Sequence, residues 1–356
     1  MIINKKVIII LVNWNGWVDT IRCLESLFRL NYSNFNVIIC DNNSTDNSYN
    51  NIKAWASGDL DLLNSSNDSL YHLTFPPVTK PIPIIECPNN SLQANINKNI
   101  ILLQSRTNIG FAGGVNLGLQ LAKKNDIAYS WILNNDVVVT PNSLLTLVKR
   151  LDKEGDKGGI CGSTVYYYDE PDKIQTTGGI KYNRWFGITT FLKNSGLDNH
   201  KIESNLDAIY GASMLVSKSF LEHVGFLSEK YFLYFEELDW AIRGKMKNFK
   251  ICYASDSIIY HLGGRSTGST ERYENNKSYF SDYYFMRNKL LFTKKFFPYA
   301  VPTILFSFIL SIFNRIRRKQ WKRVWMIFKI MIEFLSININ FYEDVDDKTK
   351  KDLFIK

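Results

Sequence analysis

"KKVIIILV", residues 5–12, is an unbroken run of β-branched and aliphatic side chains behind two lysines. A strand with one wet face alternates, so a run this continuous fits a strand covered on both faces, as in a parallel sheet. Downstream, "WVDTIRCLESLFRL" (17–30) sets Ile21, Leu24 and Phe28 at helical spacing, and "NVIIC" (36–40) reads as a second strand. Strand, helix, strand is a β-α-β unit. Ligands of open parallel sheets gather at the carboxyl ends of the strands, so "NWNG" (13–16) and "DNNSTDNS" (41–48) are expected side by side over one crevice.

The pattern continues outward. "KNIILLQS" (98–105) reads as a strand, and "YSWILNNDVVV" (129–139) as one broken by a polar triplet. Further strands are expected at 158–168 and 174–182, followed by "GASMLVS" (211–217) and a last strand ending "SIIYH" (257–261). A helix should follow "RTNIGFAGGVNLG" (106–118), and Thr140 with Pro141 reads as N-cap and first-turn proline of another. In "FLYFEELDWAIRG" (232–244), Phe235, Leu238 and Ile242 share an inward helix face, while Glu236, Glu237, Asp239, Trp240 and Arg243 point elsewhere, as a functional acidic front or as a solvated face with Asp239 paired to Arg243. Residues 53–97 form an irregular insertion with a short strand at Ile84–Cys87.

With 356 residues, 45% of them hydrophobic, the chain can build a large core, which argues against intrinsic disorder. Five scattered cysteines without a C-x-x-C pair suggest neither a zinc site nor a disulfide framework, as in a reducing cytosol. The N-terminal apolar run is too short for a signal peptide and lacks a small-residue cleavage site. The formal charge of +9 is densest at "RIRRKQWKR" (315–323), next to the uncharged stretch Phe296–Phe313. Basic residues there fit an anionic membrane surface better than a nucleic-acid groove. Pro298 and Pro302 interrupt the apolar stretch, so an interfacial or re-entrant segment is expected before a buried helix or a span, with Val324–Phe341 as a second surface helix. The domain reading is 1–290, followed by an apolar and basic helical extension, 291–356.

Four groups could carry chemistry at the expected crevice. Asp41 ends the second strand, where a carboxylate binds base or ribose donors or caps an Asx-turn. Gly110, Gly113 and Gly114 suit either a phosphate cradle or close helix–sheet packing, and the loop is neither G-x-G-x-x-G nor a Walker loop. Asp136, in the "NND" triplet, suits a hard cation or a plain turn. His261 closes a strand and, beside Asp136, would add a second ligand for Mn2+ or Mg2+, or be a structural histidine. Trp240 offers a flat face for a sugar, or core packing.

The ordered set "VNWNG", "DNNSTDNS", "NIGFAGGVNLG", "NNDVVV", "GASMLVSKSFLEHVGFLSEKYFLYFEELDWAIR" and "YHLGG", over residues 6 to 290, resembles the family 2 glycosyltransferases of bacterial surface-polysaccharide assembly, especially their rhamnosyltransferase-like branch. The resemblance implies a GT-A fold, a Rossmann-like α/β architecture with a mostly parallel sheet flanked by helices. It also implies a nucleotide-diphosphate sugar donor carrying UDP or dTDP, a divalent metal, inversion at the anomeric carbon and a glycan or lipid-linked glycan acceptor at the cytoplasmic membrane face. By position, Val12, Trp14, Asp41 and Asn108 match the nucleotide pocket, with Gly113, Asn135 and Trp240 placed on the donor side. Asp136 matches the last acid of the D-x-D metal motif, His261 the later metal histidine, and Glu237 the general base. Asn134 stands where the first acid of D-x-D would be. Crowding Glu236 and Asp239 beside Glu237 is expected to raise the base's pKa towards about 6–7. A metal-dependent nucleotide-sugar hydrolase and a non-catalytic membrane- or nucleic-acid-binding protein are the competing readings.

Overall fold

In the computed structural model of the protein, residues 4–62, 68–88, 99–193, 199–263 and 278–336 are described. Strand β1 (Val7–Asn13) explains the opening run. Its residues divide alternately between two cores: Ile8 and Ile10 pack into one, Val7, Ile9 and Leu11 into the other. No face of β1 needs a polar side chain until the strand reaches the sheet edge at Asn13.

Parallel neighbours flank it: β2 (Phe35–Asp41) with Asn13 opposite Asp41, and β5 (Tyr129–Asn134) with Val12 opposite Asn134. Beyond β2 come β4 (Ile100–Gln104) and β3 (Ile84–Pro88), also parallel. On the other side β12 (Ser213–Ser217) runs antiparallel between β5 and β7 (Gly158–Tyr167). Then β13 (Lys250–His261) pairs parallel with β7, and β6 (Val137–Val139) closes the edge antiparallel to β13. A short β8 (Ile174–Thr177) pairs with β7 off this path. A second sheet joins β9 (Gly179–Asn183), β10 (Ile188–Phe191) and β11 (Ala208–Ile209).

Helices α1 (Trp17–Leu27), α2 (Ser48–Ser57) and α4 (Ser143–Asp152) cover one face of the main sheet through Leu24, Trp55 and Leu147. Helices α3 (Gly110–Lys124), α6 (Lys218–Val224) and α7 (Glu236–Met246) cover the other through Leu119, Phe220 and Leu238. A short α5 (Asn199–Glu203) precedes β11. Helix α4 starts two residues after the expected Pro141, because Thr140 and Ser143 both donate from their hydroxyls to the Ile258 carbonyl, at 3.2 and 2.6 Å, and so tie this segment to β13.

The 53–97 insertion is docked where it is described. Glu25 on α1 accepts from Trp55 Nε1 and from the Val78 amide, both at 2.8 Å. Leu70 and Leu73 pack on Val138 and Tyr168, and β3 lengthens the sheet. The C-terminal part consists of α8 (Tyr279–Phe296), α9 (Val301–Arg317) and α10 (Trp321–Leu335). The expected division at 290 falls inside α8, whose Met286 and Leu290 share a third core with Ile304, Phe308, Ile312, Ile327 and Ile330. The expected end of the second surface helix, Phe341, lies outside the described residues, as does the last residue of "YHLGG", Gly264.

Candidate active site

Polar residues begin where β1, β2 and β5 end, and they hold one another. Asn13 donates from Nδ2 to Asp41 Oδ2 at 2.7 Å and to Ser44 Oγ at 3.1 Å, and accepts from Thr20 Oγ1 at 2.8 Å. Asp41 Oδ1 accepts from the Ser44 amide at 3.0 Å, the Asx-turn alternative. Asp41 is thus buried under the crevice floor, and its neighbour Asn42 reaches the cavity, donating to the Gly110 carbonyl at 2.9 Å. Asn15 ties the first two loops together by accepting from the Thr45 amide at 2.7 Å.

The cavity above this floor is lined by Val12, Trp14, Asn42, Asn108, Gly110, Phe111, Asn134, Asn135, Asp136, Phe232, Leu233 and Phe280. Of the expected donor-side residues, Val12, Trp14, Asn108 and Asn135 meet there, with Asp136 beside them. Asn135 also turns inward, donating to Thr20 Oγ1 at 3.0 Å, so the polar triplet is fastened to α1. The glycines divide between the two readings. Gly110 reaches the cavity with φ +77°, and a Cβ there would lie 2.5 Å from the Phe232 carbonyl oxygen. Gly113 and Gly114 instead permit packing, against Ile109 and Val12 respectively.

Asp136 and His261 come together because β6 turns back antiparallel along β13, setting His261 opposite Val137. His261 Nε2 lies 3.2 Å from Asp136 Oδ1. On the far side, Nδ1 is 3.1 Å from Gln175 Oε1 and 3.3 Å from the Tyr210 hydroxyl. Donation from Nδ1 to Gln175, assigned from this network, turns the Nε2 lone pair towards the Asp136 oxygen. One carboxylate oxygen and one imidazole nitrogen aimed into the same space fit a divalent cation that accepts N and O ligands. Among the described residues no third His, Cys, Asp or Glu joins them.

The opposite wall is a strained turn. Phe232, Tyr234 and Phe235 have φ of 62°, 69° and 75°, a region that bulky side chains avoid. Asn288, fully buried on α8, holds the turn by aiming Nδ2 at the carbonyls of Tyr231, Leu233 and Tyr234, at 2.7, 2.7 and 3.1 Å. The Phe111 amide donates to the Phe232 carbonyl at 2.8 Å, joining the turn to the first turn of α3. The Phe232 ring stacks on Tyr284 at 4.7 Å and meets Phe280 edge-on at 5.9 Å, and Phe280 stacks on Trp14 at 6.5 Å. Phe232, Leu233, Phe280, Asn42 and Asn288 escaped the sequence reading. The aromatic run before "EELDW" was a signal for the first two, whereas Phe280 and Asn288 carry none.

From this turn α7 begins with Glu236 and Glu237 in its first turn. Burial pushes the Glu236 carboxyl well above the ordinary carboxylate range, and the adjacent Glu237 charge adds to it. Two expectations for this helix are corrected. Trp240 is fully buried, donating from Nε1 to the Gly225 carbonyl at 2.8 Å with its ring edge against Phe220, so it presents no face to a sugar. Asp239 is fully buried too, held by Arg243, by Lys295 of α8 and by the Tyr231 hydroxyl at 3.1 Å, which makes it an anchor between two helices rather than part of the carboxylate pair. The helix packs against α6, β11, β13 and α8, so more than the single stripe of Phe235 and Leu238 is covered.

The family model of glycosyl transferase family 2 matches residues 8–67 and 89–225, more than half of the chain. The chain belongs to this family. A curated relative of the glycosyltransferase is the low-salt glycan biosynthesis hexosyltransferase Agl10 of Haloferax volcanii, 24% identical over 250 residues, which cover 67% of this chain and 73% of the relative. Two solved structures share the GT-A fold. The mannosyltransferase PcManGT from Pyrobaculum calidifontis, in complex with GDP-Man and Mn2+, matches with a TM-score of 0.50 and 11% identity over 94% of this chain and 88% of its own. GalNAc-T7 with UDP, GalNAc and Mn2+ matches with a TM-score of 0.51 and 12% identity over 80% of the glycosyltransferase, which spans 47% of that chain.

Proposed function

We propose that this glycosyltransferase moves a sugar, with rhamnose as the first candidate, from a UDP- or dTDP-sugar to a hydroxyl of a lipid-linked glycan, with inversion, at the cytoplasmic face of a membrane. The observation that carries the reading is the meeting of three segments over one cavity: Trp14 after β1, Asn108 and Gly110 at the start of α3, and Asp136 3.2 Å from His261. Relatives whose structures hold nucleotides and Mn2+ lend it support.

In this reading Val12, Trp14 and Asn108 seat the nucleotide, and Phe232 and Phe280 shut water out of the same cavity. Asp136 and His261 would hold a Mn2+ or Mg2+ ion, which when bound supplies Lewis-acid stabilisation of the charge on the leaving diphosphate. Glu237 takes the proton from the acceptor hydroxyl as that oxygen attacks the anomeric carbon. It stands in the first turn of α7. Burial raises the neighbouring Glu236 carboxyl above the ordinary carboxylate range, and the Glu237 charge adds to the effect. The exposed apolar sides of α9 and α10 and their basic junction suit a membrane-bound acceptor.

The test is a donor screen by thermal shift with and without Mn2+, followed by transfer assays. Glu237→Gln should lower transfer by about 10²–10⁴-fold with donor binding retained. Full turnover by that variant refutes the base assignment. Asp136→Ala should abolish the Mn2+-dependent part of donor binding. Free sugar as the sole product in the presence of acceptor would instead assign a hydrolase.

A further inference from the structure

We propose that the tip of the β9–β10 hairpin, Trp185 and Phe186, enters the membrane interface together with α9 and α10, so that the protein docks in the plane of an anionic bilayer on three elements. This rests on the membrane reading above and adds a contact from within the catalytic domain. Turns between strands are normally polar. Here Trp185, Phe186 and Ile188 are 48%, 49% and 53% exposed, next to exposed Arg184.

The tip does not swing freely. Thr303 Oγ1 donates to the Trp185 carbonyl at 2.5 Å, and the Trp185 ring meets Tyr299 edge-on at 5.3 Å. Gly187 (φ +61°) lies so close to α8 that a Cβ would stand 2.5 Å from Lys289 Cε. The tip therefore abuts the start of an apolar stripe. Along α9 and the turn before it, Tyr299, Phe306, Ile309, Leu310 and Phe313 face outward, while Ile304, Phe308 and Ile312 face the core. On α10 the outward residues are Trp321, Trp325, Phe328, Ile332 and Leu335.

Charge selects the occupant. Arg315 and Arg323 both pair with buried Asp282 at 2.7 Å and fix the junction of α9 and α10 on α8, while Arg317, Lys319 and Lys322 stay exposed there. Tryptophan and phenylalanine beside a cluster of cations suit the interface of a bilayer with anionic headgroups. Pro298–Arg317 is long and apolar enough to cross a membrane. Crossing, however, would strip Ile304, Phe308 and Ile312 from the third core and part Arg315 from Asp282, so a helix lying in the plane keeps both.

The test uses the full chain with vesicles of equimolar phosphatidylcholine and phosphatidylglycerol. The five native cysteines are buried, so Phe186→Cys and Phe328→Cys each accept an environment-sensitive fluorophore selectively. Both labels should brighten and shift to the blue on the vesicles, and Trp185→Ser with Phe186→Ser should weaken flotation about tenfold with thermal stability and donor binding unchanged. A water-like label at position 186 beside an inserted label at 328, or unaltered flotation of the double variant, overturns the hairpin contact and leaves the membrane reading standing. Failure of the wild-type chain to float sinks the membrane reading and this proposal together, and self-association without vesicle binding would make the face a protein interface. Equal binding to pure phosphatidylcholine overturns the anionic requirement.

Discussion

Helices α7 and α9 depart from the usual inside–outside rule in opposite directions. The first buries Glu236, Asp239 and Trp240, while the second exposes Phe306, Leu310 and Phe313. A buried charge and an exposed apolar stripe are the two informative exceptions, because each costs free energy unless something else meets it. What meets each one differs. Asp239 has Arg243, Lys295 and a tyrosine hydroxyl, whereas Glu236 Oε2 has no hydrogen-bond partner among the described residues. The apolar stripe on α9 is met by nothing within the described chain. Within one helix, then, one buried carboxylate is fully partnered as a structural anchor, while the crowded pair at the N-terminus is the one proposed above to carry the chemistry.

The largest effect separating the two helices is expected at Asp239. Asp239→Ala leaves two cations without their anion and should cost about 3 kcal/mol in denaturant unfolding, the low end for a buried pair because Lys295 is 45% exposed. Donor affinity should stay the same, and a large rise in donor KM would return Asp239 to the cleft. Next comes the clamp: Asn288→Ala leaves buried carbonyls on the strained turn and should cost about 1–3 kcal/mol, with a lower transfer rate because Phe232 and the start of α7 lose their support. Trp240→Phe removes one buried donor and should cost about 1 kcal/mol while leaving KM for the sugar donor unchanged, as a core residue requires.

Glu236→Gln acts through pH. The folded state holds the Glu236 proton more tightly than the unfolded chain does, so wild-type stability should fall as pH rises from the ordinary carboxylate range through the raised value. The glutamine variant cannot ionise, so its melting temperature should gain on the wild type as the buffer moves from acid to neutral. Parallel pH curves for the two would contradict the shift. Smallest of all, Phe313→Ser on the exposed side of α9 should change stability by about 0.5 kcal/mol or less, as a side chain outside the core would.

Several of these distinctions were legible in advance and others were not. The polar interruption in "YSWILNNDVVV" announced a break, and the strand does divide into β5 and β6. Helical spacing also placed Phe235 and Leu238 inward. That same rule misjudged Trp240 and Asp239, because it assumes one buried stripe and α7 is covered on more than one side. Asp41 lies under the cavity while Asn42 lines it for a similar reason: adjacent residues at a strand end face opposite ways, and only the loop's hydrogen bonds decide which one reaches the cavity.

Local matters could be read from the residues alone: an apolar run that must be covered on both faces, glycines and asparagines where the chain turns, cations gathered beside an uncharged stretch. These follow from side-chain chemistry and the short periods of strand and helix. Contacts between distant segments came from the folded chain alone: His261 beside Asp136, Asn288 under the Phe232 turn, Trp185 against Tyr299. Such contacts depend on strand order and helix placement, which the whole hydrophobic core sets together and which leave no periodic trace at any one position.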